Sequence, residues 1–202
     1  MRFVKILILY VMLPCLAFAT EDDFYTMTYN KNTNILNSFG VHTSFMTSIA
    51  DDEKAQRIRD RWQYFVQRFA QSYEFIPTLR NMIAKEQIPQ EFLFLAMAES
   101  EFTLNAKSSK KAIGIWQIMQ ATARGLGLEI NEYIDERKDP IKSTQAATKY
   151  LKYLYESTGE WYLAAMAYNC GLGRLKRGIE EAGGDSRIET LLDDEAQYIP
   201  AE

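Results

Sequence analysis

One glutamate, Glu99, has the surroundings of a proton-transfer catalyst. It closes the apolar run 92–98 and is followed at once by Ser100. A carboxylic acid among apolar side chains loses hydration, which disfavours its ionised form and raises its pKa toward the range useful for donating a proton. The pattern by itself also fits a glutamate that ends a buried helix and reaches solvent. The rest of the sequence must decide between these two interpretations.

The composition excludes several kinds of site. The 202-residue chain is 47% hydrophobic and 25% charged, as expected of one globular domain of roughly 100–150 residues with additional segments. Its formal net charge is −4 and no long block of lysine and arginine is present, so nucleic acid is not an expected partner. His42 is the single histidine and lies in a polar stretch, which excludes histidine-dependent triads and multi-histidine metal sites. We therefore expect chemistry without a metal or a cofactor.

The first 19 residues have the pattern of a cleavable signal peptide. Arg2 and Lys5 precede an apolar stretch that is shorter than the ~20 residues of a membrane span, and residues 17–19 have the small-x-small pattern of a cleavage site. Pro14 precedes Cys15 where lipidation requires a small residue, so a lipid anchor at Cys15 is disfavoured. Cleavage after Ala19 leaves Cys170 as the remaining cysteine, which favours interior packing over a role as nucleophile.

The mature chain reads as a leader followed by helices. Residues 20–52 are polar without a sustained period and predict a flexible leader, and residues 53–202 predict one domain. No stretch shows sustained strand alternation, so the predicted fold class is mainly α. The sequence predicts helices from about Ile58 to Phe69, over 76–85, up to Glu99, around Thr122, from Asp139-Pro140 through Leu154, over 161–169 and over 175–182. Gly171 and Gly173 are expected to end the helix 161–169, and Gly183-Gly184 the last helix.

Three short stretches carry a family resemblance. They are Glu99-Ser100, the run 114–117 (Gly-Ile-Trp-Gln) and the run 167–169 (Ala-Tyr-Asn) with glycines after it. Their order and spacing resemble the lytic transglycosylases of the lysozyme superfamily, most closely the membrane-bound lytic murein transglycosylase D type. Further similar stretches are 88–92, 135–140 with 143–147, and 160–164, so that the resemblance extends from about Trp62 to the end of the chain.

The resemblance implies a helical, lysozyme-like domain of the goose-type or SLT kind that cleaves peptidoglycan. The bond would be the β-1,4 linkage between N-acetylmuramic acid and N-acetylglucosamine. Glu99 would protonate the glycosidic oxygen and then withdraw a proton from the C6 hydroxyl of muramic acid, giving a 1,6-anhydro end. The implied substrate-binding residues are Ser100, Gly114, Trp116, Gln117, Tyr168 and Asn169.

The implied mechanism uses a single carboxyl group, and the sequence offers no clear second catalytic carboxylate. Ordinary glycosidases place two carboxylates across the scissile bond. If the helix continued past Glu99, Glu101 would point away from the face of Glu99 and would be a solvated charge. Asp135 lies in a family segment not known as catalytic, and Asp139 fits a helix cap better than proton transfer.

Packing roles remain open for several of these residues. Ser100 could be a plain helix-end serine and Trp116 a core tryptophan, and Gly114 is expected to permit a backbone turn or a close sugar approach rather than to act chemically. The residues 200–202 (Pro-Ala-Glu) look like the start of a family stretch that lines the cleft, so the domain is expected to be truncated there.

The expected location is the periplasm, with glycan strands as partner and peripheral association with the cell envelope. A hydrolytic muramidase on the same fold and a non-catalytic peptidoglycan-binding protein are the alternative functions.

Overall fold

The computed structural model describes residues 36–41 and 62–191, and their regular secondary structure is helical. Within these ranges the extended pairings are isolated bridges, and no strand is formed. The predicted mainly α class is confirmed. Among the helices of these ranges, none has both the length and the apolar character of a membrane span. The signal peptide, most of the leader and residues 192–202 lie outside the described residues.

The chain divides into two compact units, residues 60–152 and residues 1–59 with 153–202. The helices of the first unit are α1 Trp62–Gln71, α2 Ile76–Lys85, α3 Leu93–Ser100, α4 Gln120–Gly125 and the larger part of α5 Pro140–Thr158. Two 3₁₀ turns, Gln90–Phe92 and Glu136–Lys138, precede α3 and α5.

Helix α2 shows why these segments fold as predicted. Ile76, Leu79 and Ile83 recur at helical spacing, and all three are buried. Burial of each such side chain stabilises the unit by about 1.5–3 kcal/mol. Because α2 contacts both α3 and the 3₁₀ turn before it, this face of α2 fixes the start of the helix that carries Glu99.

A long irregular stretch, 101–119, connects α3 to α4, and most of it is the segment 106–118. Two antiparallel bridges, Lys107 with Ile113 and Ile113 with Ile118, fold it back on itself. Its residues 114–116 are buried although they belong to no helix. This segment contains the run 114–117 that the sequence singles out.

The second unit is described over residues 36–41 and 153–191. It contains the end of α5, the helices α6 Trp161–Cys170 and α7 Leu172–Glu181, which contact each other, and the short α8 Ile188–Leu191. In α6 the six consecutive residues 162–167 are buried, and three of them are alanines, whose small side chains allow close packing on all sides.

Three expectations about this unit need correction. Gly171, with φ +87°, does end α6, but Gly173 lies inside α7. Helix α7 begins at Leu172 rather than at Leu175, and α8 was not predicted.

The flexible leader predicted for 20–52 is wrong for residues 36–41. These form a helical turn whose apolar residues Leu36, Phe39 and Val41 are buried. Gly40 lies so close to Glu160 that a Cβ built on it would be 1.9 Å from Oε2 of that glutamate. The stretch is polar on average, so its composition did not indicate that these three apolar residues pack in the interior.

Candidate active site

Glu99 lies in the last turn of α3. Its helix is buried at Leu93, Leu95, Ala96 and Met97, whereas Glu99 and Ser100 are half-buried. Glu99 therefore lies where an apolar helix reaches the surface of its unit. This position combines reduced hydration with access for a substrate, which is what a proton donor requires.

The chain turns sharply directly after Ser100. Glu101 and Phe102 have φ values of +52° and +57°, which are unfavourable for residues other than glycine. Phe102 is 2% exposed, and the edges and faces of Phe69 and Phe75 meet it at centroid distances of 5.8 and 6.3 Å. Aromatic packing thus holds a strained turn immediately beside the candidate acid.

The prediction for Glu101 is wrong in its physical basis. Helix α3 ends at Ser100, and the Glu101 carboxylate is not a free solvated charge, because it accepts a hydrogen bond from the Tyr64 hydroxyl. Arg68 lies 3.9 Å from the same carboxylate and donates from Nη2 to the Glu101 carbonyl oxygen at 3.1 Å. Glu101 therefore anchors the turn to α1.

Ser100 connects the acid helix to the segment 106–118. Its Oγ lies 2.9 Å from the Ile115 carbonyl oxygen and 3.1 Å from the Ala96 carbonyl oxygen, so it can donate its one proton to either. The first contact bridges two elements that the sequence separates. The predicted orienting role of Ser100 thus has a concrete partner, the backbone of residue 115.

Gly114 allows two backbones to touch. Its φ is +83°, and a Cβ at this position would lie 1.8 Å from the carbonyl oxygen of Arg137. Only glycine can occupy this position without displacing one of the two backbone segments. Of the two roles predicted for Gly114, the turn role has direct support, and the close approach is to protein backbone.

Gln117 uses both of its donors within the protein. Its Nε2 donates to the carbonyl oxygens of Gly114 at 2.7 Å and of Ala106 at 3.3 Å. A neutral amide has two N–H donors, so the oxygen Oε1 is the group of this side chain that remains for a ligand. The half-buried Gln117 was expected to offer donor and acceptor, and the structure limits it to accepting.

The prediction that a sugar ring covers Trp116 is wrong. Trp116 is 0% exposed, and its Nε1 donates to the buried Thr144 Oγ1 at 2.7 Å. Thr144 in turn donates to the Pro140 carbonyl oxygen at 2.6 Å. The core alternative is correct, and Trp116 fastens the segment 106–118 to α5.

Arg137 is the buried side chain that holds this segment. It is 4% exposed and forms a two-pronged pair with Asp135, with Nε to Oδ1 at 2.8 Å and Nη2 to Oδ2 at 2.7 Å. Its Nη1 donates to the carbonyl oxygens of Lys111 and Ile118, each at 3.3 Å. The hydrogen bond from Arg137 holds the pKa of Asp135 below its usual range, so this carboxylate stays ionised and is unsuited to proton donation.

Asp139 is a helix cap, as predicted. Its Oδ1 accepts hydrogen bonds from the backbone N–H groups of Ile141 at 2.8 Å and Lys142 at 2.9 Å. Nearby, Glu136 pairs with Lys142, which lowers the pKa of Glu136 and raises that of Lys142. No group of three or more histidine, cysteine or acidic residues in 36–41 and 62–191 could hold a metal ion.

Tyr168 and Asn169 end helix α6 in the other unit. Both are half-buried, in contrast to the six buried residues before them. Cys170 is also half-buried, so the expected full burial of its thiol is only partly met. Its Sγ lies 3.6 Å from the Gly171 carbonyl oxygen.

Sequence reasoning missed the side chains that hold the site in place. Tyr64 and Arg68 make the contacts described above but carry no motif, and Arg137 and Thr144 lie in the family-like stretches 135–140 and 143–147 but were given no role. Their signal is the partner they bind in space, and spacing along the chain does not reveal it. A buried arginine two residues after an aspartate is the one local pattern that could have drawn attention.

Comparison with known proteins agrees with this arrangement. The Transglycosylase SLT domain family matches residues 79–190, just over half of the chain. The chain belongs to this family. The match includes α3 with Glu99, the segment 106–118 and helix α6, and it supports the predicted lysozyme-like helical fold.

Individual relatives are consistent with this membership. The membrane-bound lytic murein transglycosylase D of Escherichia coli (strain K12) is 33% identical over 159 residues, 71% of this chain and 35% of that protein. A protein of Alteromonas sp. (strain M-1) named for tributyltin chloride resistance is 38% identical over 98 residues, 48% of this chain and 47% of that protein.

A third relative comes from a virus. The peptidoglycan transglycosylase gp16 of Escherichia phage T7 is 34% identical over 107 residues, 52% of this chain and 8% of that protein. The chain thus spans less than half the length of each of these relatives.

Proposed function

We propose that this protein is a peptidoglycan lytic transglycosylase that cleaves the β-1,4 bond between N-acetylmuramic acid and N-acetylglucosamine and leaves 1,6-anhydromuramic acid ends. Two of the relatives are named transglycosylases of murein or peptidoglycan, which supports this substrate. The proposal needs no metal and no cofactor, because acid and base can be the same carboxyl group.

Glu99 is the catalytic acid and base in this proposal. Its protonated carboxyl gives a proton to the glycosidic oxygen as the bond from C1 of the muramic acid to that oxygen breaks. The carboxylate that remains then takes the proton of the C6 hydroxyl, and the C6 oxygen bonds to C1. Glu99 ends the cycle protonated, and no water is consumed.

One observation carries the assignment to this region. Ser100 follows Glu99 and bonds the Ile115 carbonyl at 2.9 Å, so the acid helix is joined directly to the run 114–117. Two of the three motifs that identify the family therefore adjoin within one unit. The bond from Ser100 thus joins the helix end that carries the acid to the segment that carries the Gln117 amide, and an acid and an amide are the groups that cleavage and recognition of an N-acetylated sugar require.

The binding residues contribute in different ways. Gln117 accepts a hydrogen bond from a sugar N–H or hydroxyl through Oε1, since both of its N–H groups are occupied. Ser100 and Gly114 position the segment. Tyr168 and Asn169 remain proposed ligands of the substrate, Tyr168 through its hydroxyl and Asn169 through an acetamido group.

The cell envelope is the proposed place of action. The Escherichia coli relative is named a membrane-bound murein transglycosylase, which fits a substrate in the cell wall. The signal-peptide pattern of residues 1–19 fits export to the periplasm with peripheral association with the envelope.

The deciding experiment compares Glu99→Gln with the unchanged protein on purified peptidoglycan. The amide keeps the size of the side chain but cannot transfer the proton, so release of anhydro products should fall at least about 100-fold while the thermal midpoint is retained. Glu91→Gln is the matched control, because Glu91 lies in the 3₁₀ turn before the same helix and should tolerate the change.

Mass spectrometry of the products separates the alternatives. Anhydro ends support the proposal, whereas reducing ends, formed by addition of water, would identify a hydrolytic muramidase. Binding without any cleavage by the unchanged protein would instead identify a peptidoglycan-binding protein. Near-normal turnover by Glu99→Gln would refute the role of Glu99.

A further inference from the structure

The segment around Gln117 is positively charged although the chain as a whole is acidic. Between Glu101 and Glu129 there is no acidic residue, while Lys107, Lys110, Lys111 and Arg124 supply positive charge. The formal net charge of the whole chain is −4. Three of these four cations fall within five residues, directly before the run 114–117.

The lysines lie on a tight turn, residues 107–113, which we name the lysine turn. The Lys111 N–H donates to the Ser108 carbonyl oxygen at 3.0 Å, closing a β-turn. Ser108 N–H donates to the Ala112 carbonyl oxygen and its Oγ accepts from the Ala112 N–H, each at 3.0 Å. The backbone of the turn is therefore well satisfied and defined.

The base of the lysine turn is fastened to the candidate site on two sides. The Ala106 carbonyl oxygen accepts from the Gly114 N–H at 3.0 Å and from Gln117 Nε2 at 3.3 Å. The Lys111 carbonyl oxygen accepts from the buried Arg137 at 3.3 Å. The turn thus keeps a fixed position beside Gln117.

The side chains of Lys107 and Lys111 are available to a ligand. Lys107, Lys110 and Lys111 are all exposed. Elsewhere in the unit Lys142 pairs with Glu136 and Lys152 with Glu86. Lys107 and Lys111, by contrast, form no ion pair with any residue in the part of the chain that the structure describes.

We propose that the lysine turn binds free carboxylates of the peptides that peptidoglycan strands carry, next to the sugar that Gln117 contacts. The inference rests on the proposed function, and it narrows the substrate to glycan strands with anionic peptides. A fixed group of exposed cations beside a strand-binding residue attracts an anionic strand and favours one register of it.

The test measures binding in a Glu99→Gln background, so that turnover cannot interfere. Lys107, Lys110 and Lys111 are replaced together by glutamine. Affinity for peptide-bearing glycan strands should fall roughly five- to twentyfold, the effect of losing two or more exposed charge pairs. The same strands with their carboxylates converted to amides by carbodiimide coupling should bind both proteins equally.

Two further variants serve as controls. Replacement of Lys85, Lys149 and Lys176 by glutamine changes the net charge equally at exposed positions outside the segment 106–118 and should leave affinity unchanged. Replacement of the three turn lysines by arginine keeps the charge and should keep the affinity. Retained thermal midpoints would show that the variants are folded.

Two outcomes would overturn the proposal: an equal loss of affinity for amidated strands, or an equal loss in the control variant with Lys85, Lys149 and Lys176 replaced. The result is independent of the cleavage assay. If the unchanged protein made no anhydro ends but bound strands with this carboxylate dependence, the proposed reaction would fail and the role of the lysine turn would stand.

Discussion

The two units each contain an aspartate and an arginine separated by one residue, and the two pairs have opposite surroundings. In Asp135-Glu136-Arg137 and in Asp185-Ser186-Arg187 the guanidinium binds both carboxylate oxygens of the aspartate. The arginine side chain is 5% exposed in the first pair and 77% exposed in the second. The same local pattern therefore builds a buried support for a loop in one place and a surface contact in the other.

The comparison shows what burial adds to a hydrogen-bonded pair. In both pairs the arginine lowers the pKa of the aspartate. Arg137 also reaches the backbone of a segment that is distant along the chain, at Lys111 and Ile118. Because the interior offers no water to replace lost partners, the buried pair should determine both stability and the position of the site, while solvent screens the exposed pair.

The largest expected effect comes from removing the buried guanidinium. Arg137→Met should lower the free energy of unfolding by about 3–5 kcal/mol, because Asp135 and two carbonyl oxygens lose their partner. Arg187→Met should produce no measurable loss. Denaturant titration of both variants measures the difference, and equal losses would contradict the comparison.

The next effect concerns the backbone of the same two regions. Gly114→Ala should cost about 2–4 kcal/mol, because the new Cβ would meet the Arg137 carbonyl oxygen at 1.8 Å in a left-handed conformation. Gly171→Ala has a similar φ of +87° with a ψ of +139°, but no neighbouring atom lies within 4 Å of the new Cβ, so it should cost less, about 1–3 kcal/mol from backbone strain alone. Thermal unfolding of the two variants checks this order.

The stability that the buried Asp135–Arg137 pair contributes should depend on pH, because the pair requires ionised Asp135. The pKa of Asp135 is lower in the folded protein than in the unfolded chain, so its contribution is complete above the unfolded value of about 3.9 and disappears as the pH falls through the folded value. Asp135→Asn should therefore be less stable than the unchanged protein at pH 6, by about 2 kcal/mol.

Below pH 4 the two proteins should converge. Unfolding titrations at pH 6, 4 and 3 test this convergence, and a constant difference at all three values would exclude a contribution from ionised Asp135.

The smallest expected effect is at the serine beside the acid. Ser100→Ala should lower the free energy of unfolding by about 1 kcal/mol, because the hydroxyl loses its bond to the Ile115 carbonyl. Cys170→Ala, at the corresponding helix end of the other unit, should change stability less, because the residue is half-buried and a thiol is a weak hydrogen-bond donor. Cleavage rates should fall for Ser100→Ala if the serine orients the site.

For both the fold and the site, some features could be predicted from the sequence and others could not. The sequence located α2, α4 and α6 closely. Local signals suffice for this, such as the buried face of α2, which repeats every three or four residues, and the alanine-rich run of α6 that ends at Gly171. The motif residues of the segment 106–118 were found by type, but their tasks were not. Trp116 proved to be core, Gln117 an acceptor with occupied donors, and Glu101 an anchor, since each role depends on a partner distant along the chain.

By itself the sequence determined the mainly α class, the cap at Asp139, the family and the position of the candidate acid at the end of an apolar helix. These features depend on local periodicity and on short motifs. The tertiary structure decided that α3 stops at Ser100, that residues 36–41 are buried, and that Arg137 rather than its exposed counterpart Arg187 supports the site. The physical reason is that burial and hydrogen-bond partners are set by which segments meet in space, and identical local patterns leave that undetermined.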